Sequence, residues 1–257
     1  MRMMKILWIM IFLSLFINAE KIPDMVTDRP DQTESSVTVS QGWLQIETGS
    51  IFEKDAPANL TNLTYNTTLL RYGVFDNTEL RLGGNLLQEK YEQETTIDNA
   101  GLSPISIGFK TRLTDEKGLL PELAFLGHLT LPWLGKDEFT PDYVAPDFRF
   151  AGTKTLREDI ALGFNLGGEW SGSTPQTHFF YSIVIGAGLN QQISFFAELY
   201  GYINEQAKPD HRFDTGLTLL LNPAMQLDFS AGLGINEYAP DYFLSGGFSY
   251  RCELFNK

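Results

Sequence analysis

The side chains best suited to chemistry in this 257-residue sequence are three histidines, His128, His178 and His211, and a set of acids and bases set among apolar residues. No two histidines share a metal-ligand spacing. Cys252 is the one cysteine, so neither an internal disulfide nor a thiolate metal site can form. There is no G-x-S-x-G nucleophile elbow. The pattern therefore predicts no catalytic residue, no metal and no cofactor, hence no enzyme. A lone histidine facing a polar interior is more often a hydrogen-bonded wall residue than a general base. The rival from another class is a lipid-acting enzyme, with His128 as its base.

The charged set is more informative. Arg71, Glu79 and Arg81 lie in "LLRYGVFDNTELRLG", Lys110 and Arg112 in "ISIGFKTRL", and Glu122 and His128 in "ELAFLGHLTL". Asp147, Arg149 and Glu169 follow the same rule, each next to apolar or small residues. If all face one interior, they form a mixed-charge lining. Such a lining either selects solutes at a constriction or is consumed in salt bridges that close it. Asn165, Glu198, Asp214 and Asp228 fall on the same face.

The elements that would position them are strands, because the alternation has period two. In "DIALGFNLGGEW", Ile160, Leu162, Phe164, Leu166 and Trp170 oppose Ala161, Gly163, Asn165, Gly167 and Glu169. Similar runs predict strands at 42–53, 59–74, 78–91, 102–114, 120–133, 145–155, 159–171, 177–189, 192–204, 211–222, 225–236 and 241–252. Tight connections such as "FDNT" and "NPAM" alternate with longer polar ones, including 92–101 and 134–144. An even number of strands, with short turns at one end and long loops at the other, is the pattern of an outer-membrane barrel. A soluble barrel also alternates, but its outer face carries Lys and Glu; the opposite face here is small and glycine-rich. Aromatics near strand ends, among them Trp43, Trp133, Trp170 and Tyr250, suit interfacial girdles. The expected fold is all-β: an antiparallel transmembrane β-barrel of about 12 strands.

Residues 1–19 read as a signal peptide. Arg2 and Lys5 precede the apolar run "ILWIMIFLSLFI", and Ala19 offers a cleavage site. The run is too short to span a bilayer as a helix, which takes roughly 20 apolar residues. The net charge of −13 argues against nucleic acid, which requires a basic surface. Residues 20–41 form a polar segment before the barrel, residues 42–257. In it Asp28, Arg29, Pro30 and Asp31 break both the alternation and the ladder, whereas Gln45 and Glu47 already alternate with Leu44 and Ile46. The segment is either a plug, with Asp28, Arg29 and Asp31 tucked against inward residues such as Arg71, Arg81 or Glu79, or a periplasmic tail.

The stretch "TDRPDQTESSVTVSQGWLQIETG" (27–49), followed by "LLRYGVFDNTELRLG" (69–83), "ISIGFKTRL" (105–113) and "GFNLGGEW" (163–170), resembles the outer-membrane transporter family named for the MetA pathway of phenol degradation. Its most specific part is T-D-R-P-D-x-T-x-S, residues 27–35. The resemblance covers nearly the whole mature chain and implies a secreted barrel in the outer membrane of a Gram-negative bacterium. It does not imply that this chain handles phenol. The expected partners are outer-membrane lipid, the barrel-insertion machinery and a small solute of unspecified identity. The chain departs from the usual barrel ending: either Tyr250 or Phe255 must serve as the terminal aromatic. The expected function is a porin-like channel or transporter passing small solutes passively through a narrow mixed-charge lumen. The alternatives are the lipid-acting enzyme or a structural or adhesion barrel with a closed lumen.

Overall fold

The structure is a computed structural model that describes residues 24–56, 58–92, 96–204 and 207–254. The expected signal peptide and the candidate terminal residue Phe255 lie outside the described residues. The strands are β1 (Trp43–Asp55), β2 (Leu60–Phe75), β3 (Thr78–Glu92), β4 (Thr96–Leu102), β5 (Ile105–Thr114), β6 (Glu122–Leu131) and β7 (Ala145–Arg157). They continue as β8 (Ile160–Trp170), β9 (Thr177–Gly188), β10 (Ile193–Asn204), β11 (Asp210–Asn222), β12 (Met225–Gly234) and β13 (Tyr242–Glu253). All pair antiparallel in one sheet. No helix among the described residues is long and apolar enough to cross a membrane, so any crossing is made by strands.

Twelve of these strands form a closed ring. β1 joins β13 in one unbroken register from Trp43↔Glu253 to Lys54↔Tyr242, and β2 joins β3. Closure is what the lipid environment demands, since an open edge would leave unpaired backbone groups in hydrocarbon. The thirteenth strand corrects an expectation: residues 92–101 include a strand rather than only a loop. β3 pairs with β5 through Thr78–Gly83, and its far half, Leu86–Glu92, pairs with β4 instead. β4, "TIDNAGL", has seven residues, short of the roughly 9–11 that cross a bilayer. It forms an arm above the wall, which explains why its sequence lacks the alternation of the wall strands.

The two faces are sorted as the alternation requires. Asn165 is fully buried, whereas its neighbour Leu166 is 57% exposed. Lys110 and Asp228 are likewise buried beside the exposed Phe109 and Phe229. Large apolar side chains outside and charged ones inside invert a water-soluble protein and match a lipid-facing barrel. Tyr250 alternates with Leu244 and Phe248 on the outer face, close to the end of the last strand. Tight turns, the start of β1 and the end of β13 share one rim. The longer connections, including 132–144 with its short 3-10 turn Asp137–Phe139, share the other.

Candidate functional site in the lumen

Residues 24–41 are bonded to inward-facing side chains from nearly every wall strand, so they lie within the ring. The path starts at the tight-turn rim, where Arg251 Nη1 donates to the Asp24 carbonyl at 2.9 Å. It rises past the Val26 carbonyl, which accepts from Gln45 Nε2 at 2.9 Å. It turns at Asp28–Thr33, where the Arg29–Pro30 peptide bond is cis. It then descends through Ser36, whose hydroxyl donates to Glu122 and accepts from the Thr153 hydroxyl, at 2.8 Å each. Val39 N–H meets Glu79 at 2.6 Å, and Gln41 bridges to Gly73 just before β1. At Gly73 a Cβ would come within 2.1 Å of the Ser40 carbonyl oxygen, so the returning chain requires glycine there.

The charges sort into two walls. On the β2–β3–β5 side, Asp28 is surrounded by three cations: Arg81 at 2.7 Å, Lys110 at 2.9 Å and Arg71 at 3.1 Å. Arg71 also meets Glu47 and Glu79, each at 2.8 Å. Arg81 reaches Glu34 at 2.6 Å. The Asp28 and Arg29 backbone N–H groups both donate to Glu47, at 2.9 and 3.1 Å. Burial would raise the Asp28 pKa, but Arg71, Lys110 and Arg81 together hold it well below the usual carboxylate range.

On the β10–β12 side the balance is reversed. The Arg29 guanidinium bonds Asp228 at 3.0 Å and Ser245 at 2.9 Å, and reaches Thr67 at 3.1 Å. Glu198 accepts from the Gln32 backbone N–H at 2.7 Å and from the Thr33 hydroxyl. Thr33 also shares a 2.6 Å hydrogen bond with Ser182. Asp214 is the direct cross-strand neighbour of Glu198. It is fully buried and makes no ion pair among the described residues, so the two carboxyls share this stretch of wall. Burial, then the charge of Glu198, push Asp31 well above its ordinary pKa.

The remaining candidates line the same interior. Arg81 Nε donates to His128 Nε2 at 2.9 Å, while His128 Nδ1 faces Asp147 at 3.0 Å. The Nε2 lone pair a general base would use is therefore occupied. Arg149 donates to the Gln32 carbonyl at 3.3 Å and stacks over Phe180, 4.0 Å from the ring centroid. Glu169 sits between Asp147 and His178 in the register. Arg112 lies near the tight-turn rim, facing Asp115 at 3.4 Å and Glu122 at 3.6 Å. Among the described residues, no group of three or more His, Cys, Asp or Glu side chains is placed to hold a metal.

Site residues outside the predicted set include Glu47, Glu34, Thr33 and Arg251. For Glu47 the signal was present: Gln45 and Glu47 alternate with Leu44 and Ile46, and both are buried inside. Glu34 and Thr33 sit in an irregular segment, where no periodicity marks which side chains point to a partner.

Fold and interior together define an outer-membrane β-barrel of the porin-like type. The sequence matches the family model described as "Putative MetA-pathway of phenol degradation" over residues 27–252. The chain belongs to that family. Solved structures share the fold at low identity. The crystal structure of an outer membrane channel from Pseudomonas putida F1 is 14% identical, covers 84% of this chain and 97% of that chain, and has a TM-score of 0.64. A KdgM porin is 8% identical over 80% of this chain and 98% of its own, with a TM-score of 0.55. The translocator domain of the autotransporter NalP from Neisseria meningitidis is 9% identical over 83% and 90%, with a TM-score of 0.55. No curated protein matches the chain.

Proposed function

We propose that the protein is a passive outer-membrane channel for small solutes, held closed at rest by residues 24–41 acting as a plug. The observation that carries this reading is the ring of contacts around the segment, from Arg71 and Glu79 on one side to Glu198 and Asp228 on the other. A segment whose one backbone bridge to the wall among the described residues is Gln41–Gly73 at its end, and which is otherwise held by side-chain contacts, can leave without breaking the barrel. Similarity of fold to an outer membrane channel and a porin supports the same class.

The polar lining, with Arg71, Arg81, Lys110, Glu79, Glu122 and Arg149 near the segment and Arg112, His128, Asp147 and Glu169 beyond it, would set which solutes pass. No cofactor is required. The membrane lipid meets the exposed leucine and phenylalanine face, and Tyr250, outward near the end of β13, is the residue offered to the insertion machinery. The lipid-enzyme reading loses its base, because Arg81 occupies His128 Nε2. The decisive experiment is planar-bilayer recording of the chain lacking residues 25–37. A large rise in conductance over the intact chain is expected; an unchanged current contradicts the plug.

A further inference from the structure

Asp28 and Arg29 are neighbours in sequence, yet they satisfy opposite poles of the lumen. The carboxylate fits among Arg71, Arg81 and Lys110, and the guanidinium fits against Asp228. The guanidinium pole is a shaped slot as well as a charge. Gly49 and Gly247 face each other across the β1–β13 seam. A Cβ on either would lie 2.4 Å from an Arg29 guanidinium nitrogen. The seam thus opens a gap one planar group wide, with the Ser245 hydroxyl on its edge. Among the described residues, Arg29 is the one cation paired with Glu198, Asp214 or Asp228: it meets Asp228, while Glu198 and Asp214 face each other across the strands with no ion pair. The segment does not fill the space: a cavity of about 220 Å³ borders Arg29, Asp31, Tyr200 and Arg212.

We propose that the lumen carries a two-pole binding site for a small solute bearing a carboxylate at one end and a guanidinium or ammonium at the other, for which the Asp28–Arg29 pair is the resident stand-in. This rests on the reading of the barrel as a channel from which the segment withdraws. A field running from a basic to an acidic wall orients such a solute across the pore. A purely anionic solute would meet the acidic wall unpaired, and a purely cationic one the basic wall. The solute and the segment compete for the same groups.

The test uses the full chain carrying Asp28→Ala and Arg29→Ala, folded in detergent, with calorimetric titration of three end-blocked dipeptides: Asp-Arg, Asp-Ala and Ala-Arg. Asp-Arg should bind at least about tenfold more tightly than either half, a difference of about 1.4 kcal/mol. Adding Asp228→Asn should weaken Asp-Arg and leave Asp-Ala unchanged. Equal binding of all three, or no binding to the folded barrel, overturns the site. If the double variant does not fold, Arg29→Ala alone serves: methylguanidinium chloride should raise its melting midpoint above that in equal sodium chloride, and equal midpoints overturn the site. Bilayer recording of the same preparation separates the two readings. Conductance without discrimination among the dipeptides overturns the two-pole site alone. Discrimination without conductance overturns the channel and leaves the site standing.

Discussion

On the β2–β3–β5 side of the lumen, Arg71, Arg81 and Lys110 are each matched by a carboxylate within 3.1 Å, and Asp28 is shared among all three. On the β10–β12 side, Glu198, Asp214 and Asp228 receive from the segment one guanidinium and two donors of residues 32–33, and Asp214 receives none of these. The same segment touches both walls, but it is anchored on the first and only rests on the second. A saturated cluster of buried ion pairs is costly to break from one side, because the partners left behind remain charged and desolvated. A wall with spare acceptors loses little when one donor leaves. Release of the segment should therefore start at Glu198 and Asp228 and be limited by Asp28.

The largest effect should come from the anchor. Asp28→Asn leaves three buried cations short of a carboxylate, a loss of about 3–5 kcal/mol, which corresponds to roughly a hundredfold or greater rise in open probability. Single-channel recording checks this; an effect no larger than that of an acidic-wall variant would erase the distinction between the walls. Next in size is Arg29→Ala, which removes charge-assisted hydrogen bonds worth about 1.5–3 kcal/mol. Gly247→Ala should act in the same direction by about 1–3 kcal/mol, since its Cβ must displace the guanidinium. Protease sensitivity of the segment in the folded barrel measures both.

A smaller effect should follow pH. Asp31 is raised by burial and by the nearby Glu198, with Asp28 and Glu47 adding to the repulsion. A raised carboxyl favours the seated segment when protonated, and that stability is lost as pH rises from the unfolded value near 4 through the folded one. Asp28 is depressed, so its contribution persists above the unfolded value and is lost only as pH falls well below it. Closure should therefore tighten as pH falls from the raised Asp31 value towards the ordinary carboxylate range, and Asp31→Asn should flatten the dependence. The smallest effect belongs to Asp214→Asn: its carboxyl faces Glu198 rather than the segment, so it should change open probability by less than about twofold.

Much of this architecture was legible in the alternation. "DIALGFNLGGEW" assigns Asn165 inward and Leu166 outward without any structure, because a pleated strand in lipid has only two faces to offer. The same logic placed Arg71, Glu79, Arg81 and Lys110 in one interior. β4 was not legible: "TIDNAGL" neither crosses the bilayer nor packs a face, so nothing constrains its pattern. The pairing of Asp28 with three cations from three strands, and the glycine slot under Arg29, depend on long-range register. No local spacing in residues 25–37 encodes which wall each side chain reaches.

The most direct measurement locks the segment in place. Thr33 and Ser182 share a 2.6 Å hydrogen bond between their hydroxyls, and Cys252 is the one native thiol. In a chain carrying Asp28→Asn, Cys252→Ser, Thr33→Cys and Ser182→Cys, the account predicts a silent pore when the new pair is oxidised and a large current after reduction. Equal currents in the two states would contradict it.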